Sequence, residues 1–209
     1  MMVGNSRKRI KVILAACIGA AVACLYSAQA SSQNLPNALF RPTIEDVDPG
    51  IDHGNSYRNL PETYQKQAVF YRSQEPPGTI IVETSERHLY LIQNETRALR
   101  YGIGVGREGF TWQGLLKISR KAEWPDWHPP PEMIERQPYL PRFMAGGPGN
   151  PMGARAMYLG ATIYRIHGTN APETIGQAVS SGCFPLVNDD VADLYERVSV
   201  GTRVVVRQH

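Results

Sequence analysis

Cys183 and His167 stand sixteen residues apart, in the segments SSGC (180–183) and IHGT (166–169). A thiol becomes a nucleophile when an imidazole draws off its proton or a nearby positive charge holds the thiolate. His167 closes the run ATIYRIH, which reads as a strand able to present the ring to a cleft. Cys183 follows Gly182 and precedes a helix that begins near Asn188. Gly182 permits a sharp turn, so the amides of Gly182 and Cys183 are candidate donors to an oxyanion. Ser180 and Ser181 are either donors beside the thiol or plain turn residues. On spacing alone, a packing cysteine and a catalytic one fit equally well.

Other chemistries find less support. The segment GIGVG (102–106) has glycines at nucleotide-loop spacing, but no helix pattern follows it and no basic residue is set for phosphate. It reads as a tight turn or bulge between strands. The five histidines, at 53, 88, 128, 167 and 209, have no helical ligand spacing, and neither HExxH nor CxxC occurs, so no metal site is expected. The net charge of +3 falls to −1 once the four positive charges of Arg7, Lys8, Arg9 and Lys11 are set aside. A near-neutral body offers no electrostatic footing for nucleic acid.

Those four charges open an export signal. RKRIK precedes the apolar run VILAACIGAAVACLY and then SAQA, and Ala28-Gln29-Ala30 has the small-x-small form that signal peptidase cleaves. The run is shorter than the roughly 20 residues that span a bilayer. Residues 1–30 are therefore expected to be removed, leaving no stable membrane span. An uncleaved anchor and lipidation at Cys17 or Cys24 are the alternatives. Loss of the signal makes Cys183 the one cysteine of the mature chain, unable to form an intramolecular disulfide.

The elements that must position these residues are mostly strands. Residues 31–75 read as a polar, proline-containing tether, partly ordered, with one short helix over PETYQKQAVFYR (61–72). From about 76 the pattern turns to β-branched and aromatic runs: GTIIVET, HLYLIQ, ALRYGIGVG, LLKISR, ARAMYLG, ATIYRIHGT and GTRVVVRQ. Between 124 and 153 lies a long proline-rich loop, and loops of that length in compact domains usually carry function. NDDVADLYERV reads as a helix capped by Asn188 or Asp189, with Val191, Leu194 and Val198 on its apolar face. The sum is a mainly β domain over 76–209 with one or two helices.

Taken together, HGTN (167–170), SSGC (180–183), NDD (188–190) and the upstream YGIGVGREGFTW and GGPGNPMGARAMYL resemble the catalytic core of L,D-transpeptidases with a YkuD-type domain, in versions found in Gram-negative bacteria. The likeness spans roughly 76–206. It implies a β-sandwich-like fold with a flanking helix, in the periplasm, acting on peptidoglycan stem peptides without metal or organic cofactor. Cys183 would be the nucleophile and His167 its base, with the carbonyl of Gly168 orienting the imidazole. The thiolate would attack the third residue of a tetrapeptide stem and release the terminal D-Ala. A second stem, an outer-membrane protein or a D-amino acid would then take the acyl group. Trp124, Trp127 and Tyr139 on the long loop are candidates to wall the cleft, and Arg155 and Arg165 to meet stem carboxylates. One position departs from the family pattern: Pro185 stands where arginine is usual two residues after the cysteine. Arginine there would offer a fork of donors, proline offers none. That departure keeps two alternatives open, a weakened or inactive peptidoglycan-binding homologue and a hydrolase on the same linkages.

Overall fold

A computed structural model of the chain describes residues 57–208. The export signal and the tether before residue 57 lie outside the described residues. The runs rich in Val, Ile and aromatics are strands. β2 (Ile80–Glu83), β3 (His88–Asn94) and β4 (Arg97–Gly102) form one antiparallel meander. β6 (Gly114–Glu123), β7 (Arg155–Leu159) and β8 (Arg165–His167) form another. β11 (Arg203–Arg207) joins them, parallel to β2 and antiparallel to β6. β1 (Gln67–Phe70) adds to β4, and β10 (Phe184–Pro185) runs parallel to β8. The order across the nine-stranded sheet is β1-β4-β3-β2-β11-β6-β7-β8-β10. β5 (Val105–Gly106) and β9 (Ala178–Ser180) make a separate parallel pair.

Leu89 and Tyr101 from one end of this sheet share a single buried cluster with Ile166 and Phe184 from the other. A flat sheet cannot bring such ends together, so the sheet curls and its two halves face a common core. Val191 and Leu194 of α2 (Asn188–Arg197) fill the same core. This is the sandwich-like, mainly β architecture expected, with a second, six-residue helix, α1 (Pro131–Arg136), in the proline-rich loop. Full burial of each such apolar side chain stabilises by about 1.5–3 kcal/mol. α2 is also matched to its dipole: Asp189 and Asp190 open it. Lys121 Nζ closes it, donating to the Tyr195 and Val198 carbonyls at 2.6 and 2.8 Å.

The helix expected over 61–72 does not form. Glu62–Tyr64 is one 3-10 turn, and Gln67–Phe70 is the strand β1. Its half-buried and exposed residues alternate with period two, because pairing with β4 satisfies the backbone and overrides local helix preference. The sheet thus begins before residue 76. Upstream, Leu60 packs with Ile175 and Val187, joined by Tyr57 and Tyr64. Gly176 exists to admit this strap: its φ is +81°, and a Cβ there would run into the Tyr64 ring.

Candidate active site

The parallel pairing of β10 with β8 sets Phe184 opposite Ile166 and Pro185 opposite His167. Phe184 and Ile166 are fully buried in the core. Strand side chains alternate, so Arg165 and His167 share the other face of β8, and Cys183 enters β10 beside Arg165. β7 places Tyr158 opposite Arg165 and Ala156 opposite His167. β6 places Arg120 opposite Tyr158 and Ala122 opposite Ala156. Two rows therefore cross the sheet on one face. One runs Arg120, Tyr158, Arg165 to Cys183; the other runs Ala122, Ala156 to His167.

The turn that presents the thiol is built from both sides. Ser180 Oγ donates to the Cys183 carbonyl at 2.7 Å and accepts the Gly182 amide at 3.1 Å. Trp112 Nε1 donates to the Gly182 carbonyl at 2.8 Å. Gly182 has φ +99°, and a Cβ there would lie 2.6 Å from Cε1 of Tyr164, whose ring stacks on Trp112 at 4.4 Å. Only glycine meets both conditions. The expectation that the Gly182 amide serves an oxyanion is corrected: that N–H is engaged by Ser180. Ser181 is half-buried in the same turn.

His167 Nδ1 lies 2.5 Å from the Gly168 carbonyl. A carbonyl only accepts, so Nδ1 carries the proton and Nε2 keeps the lone pair. Asn188 holds this carbonyl in place from behind. Its Oδ1 accepts the amides of Thr169 (3.2 Å) and Ala154 (3.0 Å), so it ties the His167 turn to β7. It does not cap α2 as expected; Val187 holds that position, without a side-chain bond.

Electrostatics keep both partners neutral. Burial pushes His167 down to about 4; the Gly168 and Met152 carbonyls oppose this and the Arg165 charge adds to it. Burial pushes the Cys183 thiol up, while Arg165, close enough to hydrogen-bond the sulfur, pulls it down. The thiol donates to the Ile163 carbonyl at 3.8 Å rather than to the imidazole. The arrangement suits a neutral thiol that gives up its proton to a neutral base during attack, with Arg165 at hand for the developing thiolate.

A cavity of about 290 Å³ opens beside this pair, with Arg165 and Met152 as shared wall and Arg120, Tyr158, Trp127 and Asp126 around it. Trp127 lines this cavity, held by a bridge to Met144. Trp124, Tyr139 and Arg155 do not line it. Trp124, with φ +39°, anchors the loop through its amide to the Ala154 carbonyl. Tyr139 is 81% exposed. Arg155 sits on the core-side alternation of β7, bonded to Glu123 and over the Tyr195 ring of α2. Pro185 does not line this cavity either. It is buried, its ring against Gly104, where a Cβ would lie 2.8 Å from Pro185 Cγ. The strand tolerates it because β10 is the sheet edge and the Leu186 amide still reaches the His167 carbonyl at 2.8 Å. Among the described residues no three His, Cys, Asp or Glu side chains gather as a metal would need.

Sequence reasoning passed over Arg120, Tyr158, Trp112 and Tyr164. The alternation of ARAMYLG already puts Tyr158 opposite in face to Met157, but which strands flank it is invisible along the chain.

The family model for the L,D-transpeptidase catalytic domain (YkuD) matches residues 77–206. Over 136 residues the chain is 40% identical to the probable L,D-transpeptidase ErfK/SrfK of Escherichia coli, covering 61% of this chain and 43% of that protein. The chain spans about half the length of the curated relatives it matches. Among solved structures, a Brucella melitensis protein described as a probable carnitine operon oxidoreductase is 48% identical, covering 73% of this chain and 99% of that one. Its TM-score is 0.48, too low for the superposition to carry weight. L,D-transpeptidase 3 of Mycobacterium tuberculosis superposes with a TM-score of 0.51 at 14% identity, over 63% of this chain and 61% of that one, a likeness of fold.

Proposed function

The chain belongs to the L,D-transpeptidase catalytic-domain family, and on that premise we propose that it is an exported, periplasmic cysteine transpeptidase acting on peptidoglycan tetrapeptide stems. The observation that carries the reading is the parallel register of β8 and β10, which sets Cys183 one strand from an imidazole whose Nδ1 is pinned by the Gly168 carbonyl.

The thiol swings from the Ile163 carbonyl toward His167 as the donor enters. Its proton passes to Nε2 while Sγ bonds to the carbonyl carbon of the third stem residue. The oxyanion so formed is met by the Cys183 amide, since the Gly182 amide is engaged. His167 then returns the proton to the departing amine of D-Ala, and the carbon–nitrogen bond breaks, leaving a thioester. An acceptor amine attacks the thioester, gives its proton to His167, and the thiol is restored. Water entering at that second step would make the same site a hydrolase. The acceptor is a second stem, an outer-membrane protein or a D-amino acid; muropeptide profiles of cells with and without the gene distinguish them.

The inactive-module alternative draws its support from Pro185. Here that side chain packs against Gly104 and offers no donor, while Arg165 supplies a cation beside the Cys183 sulfur. The reading is tested by incubating the protein with tetrapeptide stems and weighing it intact. The expected result is a thioester adduct on Cys183 and release of D-Ala, both lost in Cys183→Ala. Folded wild-type protein that forms no adduct with stems or with a carbapenem, yet binds sacculi, would establish the module instead.

A further inference from the structure

Arg120 owes its orientation to a bulge. Ile118 pairs with Leu159 and Arg120 with Tyr158, so β6 advances two residues while β7 advances one. Ile118 and Leu159 face the core. In an unbroken ladder residue 120 would share the face of Ile118 and point into the core with it. The extra residue, Ser119, turns Arg120 to the cleft face and Lys121 to the α2 face, where Lys121 caps the helix. Ser119 Oγ secures the bulge, donating to the Gly160 carbonyl at 2.6 Å.

The result places two like charges on one ring. The Arg120 guanidinium lies 3.6 Å from the Tyr158 ring centroid and that of Arg165 lies 5.3 Å from the same centroid. Among the described residues neither Arg120 nor Arg165 makes an ion pair. The ring contacts hold both guanidinia at Tyr158, with no carboxylate paired to either among the described residues. The cavity they share also receives the Asp126 carboxylate and His128. Asp126 is directed to the loop, its Oδ1 accepting the Gly146 amide at 2.9 Å.

Arg165 is close enough to hydrogen-bond the Cys183 sulfur. The residue that departs on acylation follows the attacked carbonyl directly, and consecutive Cα atoms are about 3.8 Å apart. Its terminal carboxylate therefore lies one residue beyond the sulfur, and Arg165 is the cation next to the sulfur. We infer that Arg120 and Arg165, stacked across Tyr158, form an anion subsite for the free C-terminal carboxylate of the acyl donor's leaving residue. This rests on the acyl-transfer reading above and deepens it: the site selects stems that end one residue after the scissile bond. Longer stems, whose next group is a neutral amide, lose the charge contact.

The test is binding, with acylation kept apart. In Cys183→Ala, which cannot acylate, calorimetry compares two peptides ending in diamino acid–D-Ala, one a free acid and one a C-terminal carboxamide. The acid is expected to bind about tenfold more tightly, the scale of one charge-assisted hydrogen bond. Adding Arg120→Gln should remove most of that preference and Arg120→Lys should keep part of it; Arg120 is exposed, so neither change threatens the fold. Equal binding of acid and amide, or a preference untouched by Arg120→Gln, overturns the subsite. If the preference holds while neither peptide acylates wild-type Cys183, the subsite stands and the transpeptidase reading fails.

Discussion

Gly182→Ala tests how the turn carrying the Cys183 thiol is built. The new Cβ would meet Tyr164 Cε1 at 2.6 Å, and Tyr164 cannot retreat without leaving its stack on Trp112 at 4.4 Å. A φ of +99° in a residue with a Cβ costs about 1–3 kcal/mol. Loss of the aromatic stack adds about 0.5–1.5 kcal/mol. The combined destabilisation of about 2–4 kcal/mol leaves a domain with ordinary stability folded. For a domain of this size it corresponds to a fall in Tm of roughly 5–15 °C. The steric part has a separate signature, because Tyr164→Ala removes the obstacle and leaves the dihedral cost. Gly182→Ala should therefore be milder in the Tyr164→Ala background by about the stacking contribution, a coupling that a double-mutant cycle reads directly. Acylation of Cys183, followed by intact mass, should slow in the single variant because the turn carrying the thiol moves with residue 182. A Tm shift under about 2 °C with unchanged acylation, or strictly additive variants, would refute this account of the turn.

Three further outcomes are expected. His167 is pushed down to about 4, so its lone pair survives mild acid and the acidic limb of the acylation profile should fall near pH 4; a limb near pH 6.5 would contradict the buried environment. The same depressed value makes stability rise with pH between about 4 and 6.5, while Asp190, buried beside Tyr57 and pushed up to about 7, makes stability fall with pH up to that value. The two trends oppose each other, and Asp190→Asn should expose the rising one in melts taken across that range; melts that stay flat or fall would refute the opposition. Asn188→Ala strands the Ala154 and Thr169 amides and should cost about 1–3 kcal/mol while loosening the Gly168 carbonyl; a stable variant with full activity would show that Asn188 does not hold the turn. Pro185→Arg should lower Tm and leave acylation no faster, because the side chain at 185 is buried against Gly104; faster acylation would restore a cleft role for that position.

Much of this molecule is readable along the chain, and the reasons are local. Runs such as TIIV, LYLI and VVV are strands because β-branched and aromatic side chains suit a pleated surface buried on one or both faces. NDDVADLYERV is a helix because Val191 and Leu194 recur at helical spacing. The HGT and SSGC segments carry the family likeness, and it is that likeness which makes Cys183, His167 and Gly168 the candidates. Misreadings fall where partners are distant. PETYQKQAVFYR looks helical alone, but β4 has an edge to fill and Gln67–Phe70 fills it. Asn188 looks like a cap, but the Ala154 and Thr169 amides, brought up by β7 and the His167 turn, take its oxygen.

The sequence by itself thus determined most of the strands from residue 80 onward and the flanking helix, since these follow from periodicity and side-chain chemistry. Only the tertiary structure decided which side chains surround Cys183 and His167. The parallel crossover that lays β10 on β8, and the single extra residue at Ser119 that turns Arg120 outward, are matters of register between strands distant in sequence. Register fixes the face on which every side chain lies, and no local run of residues encodes it.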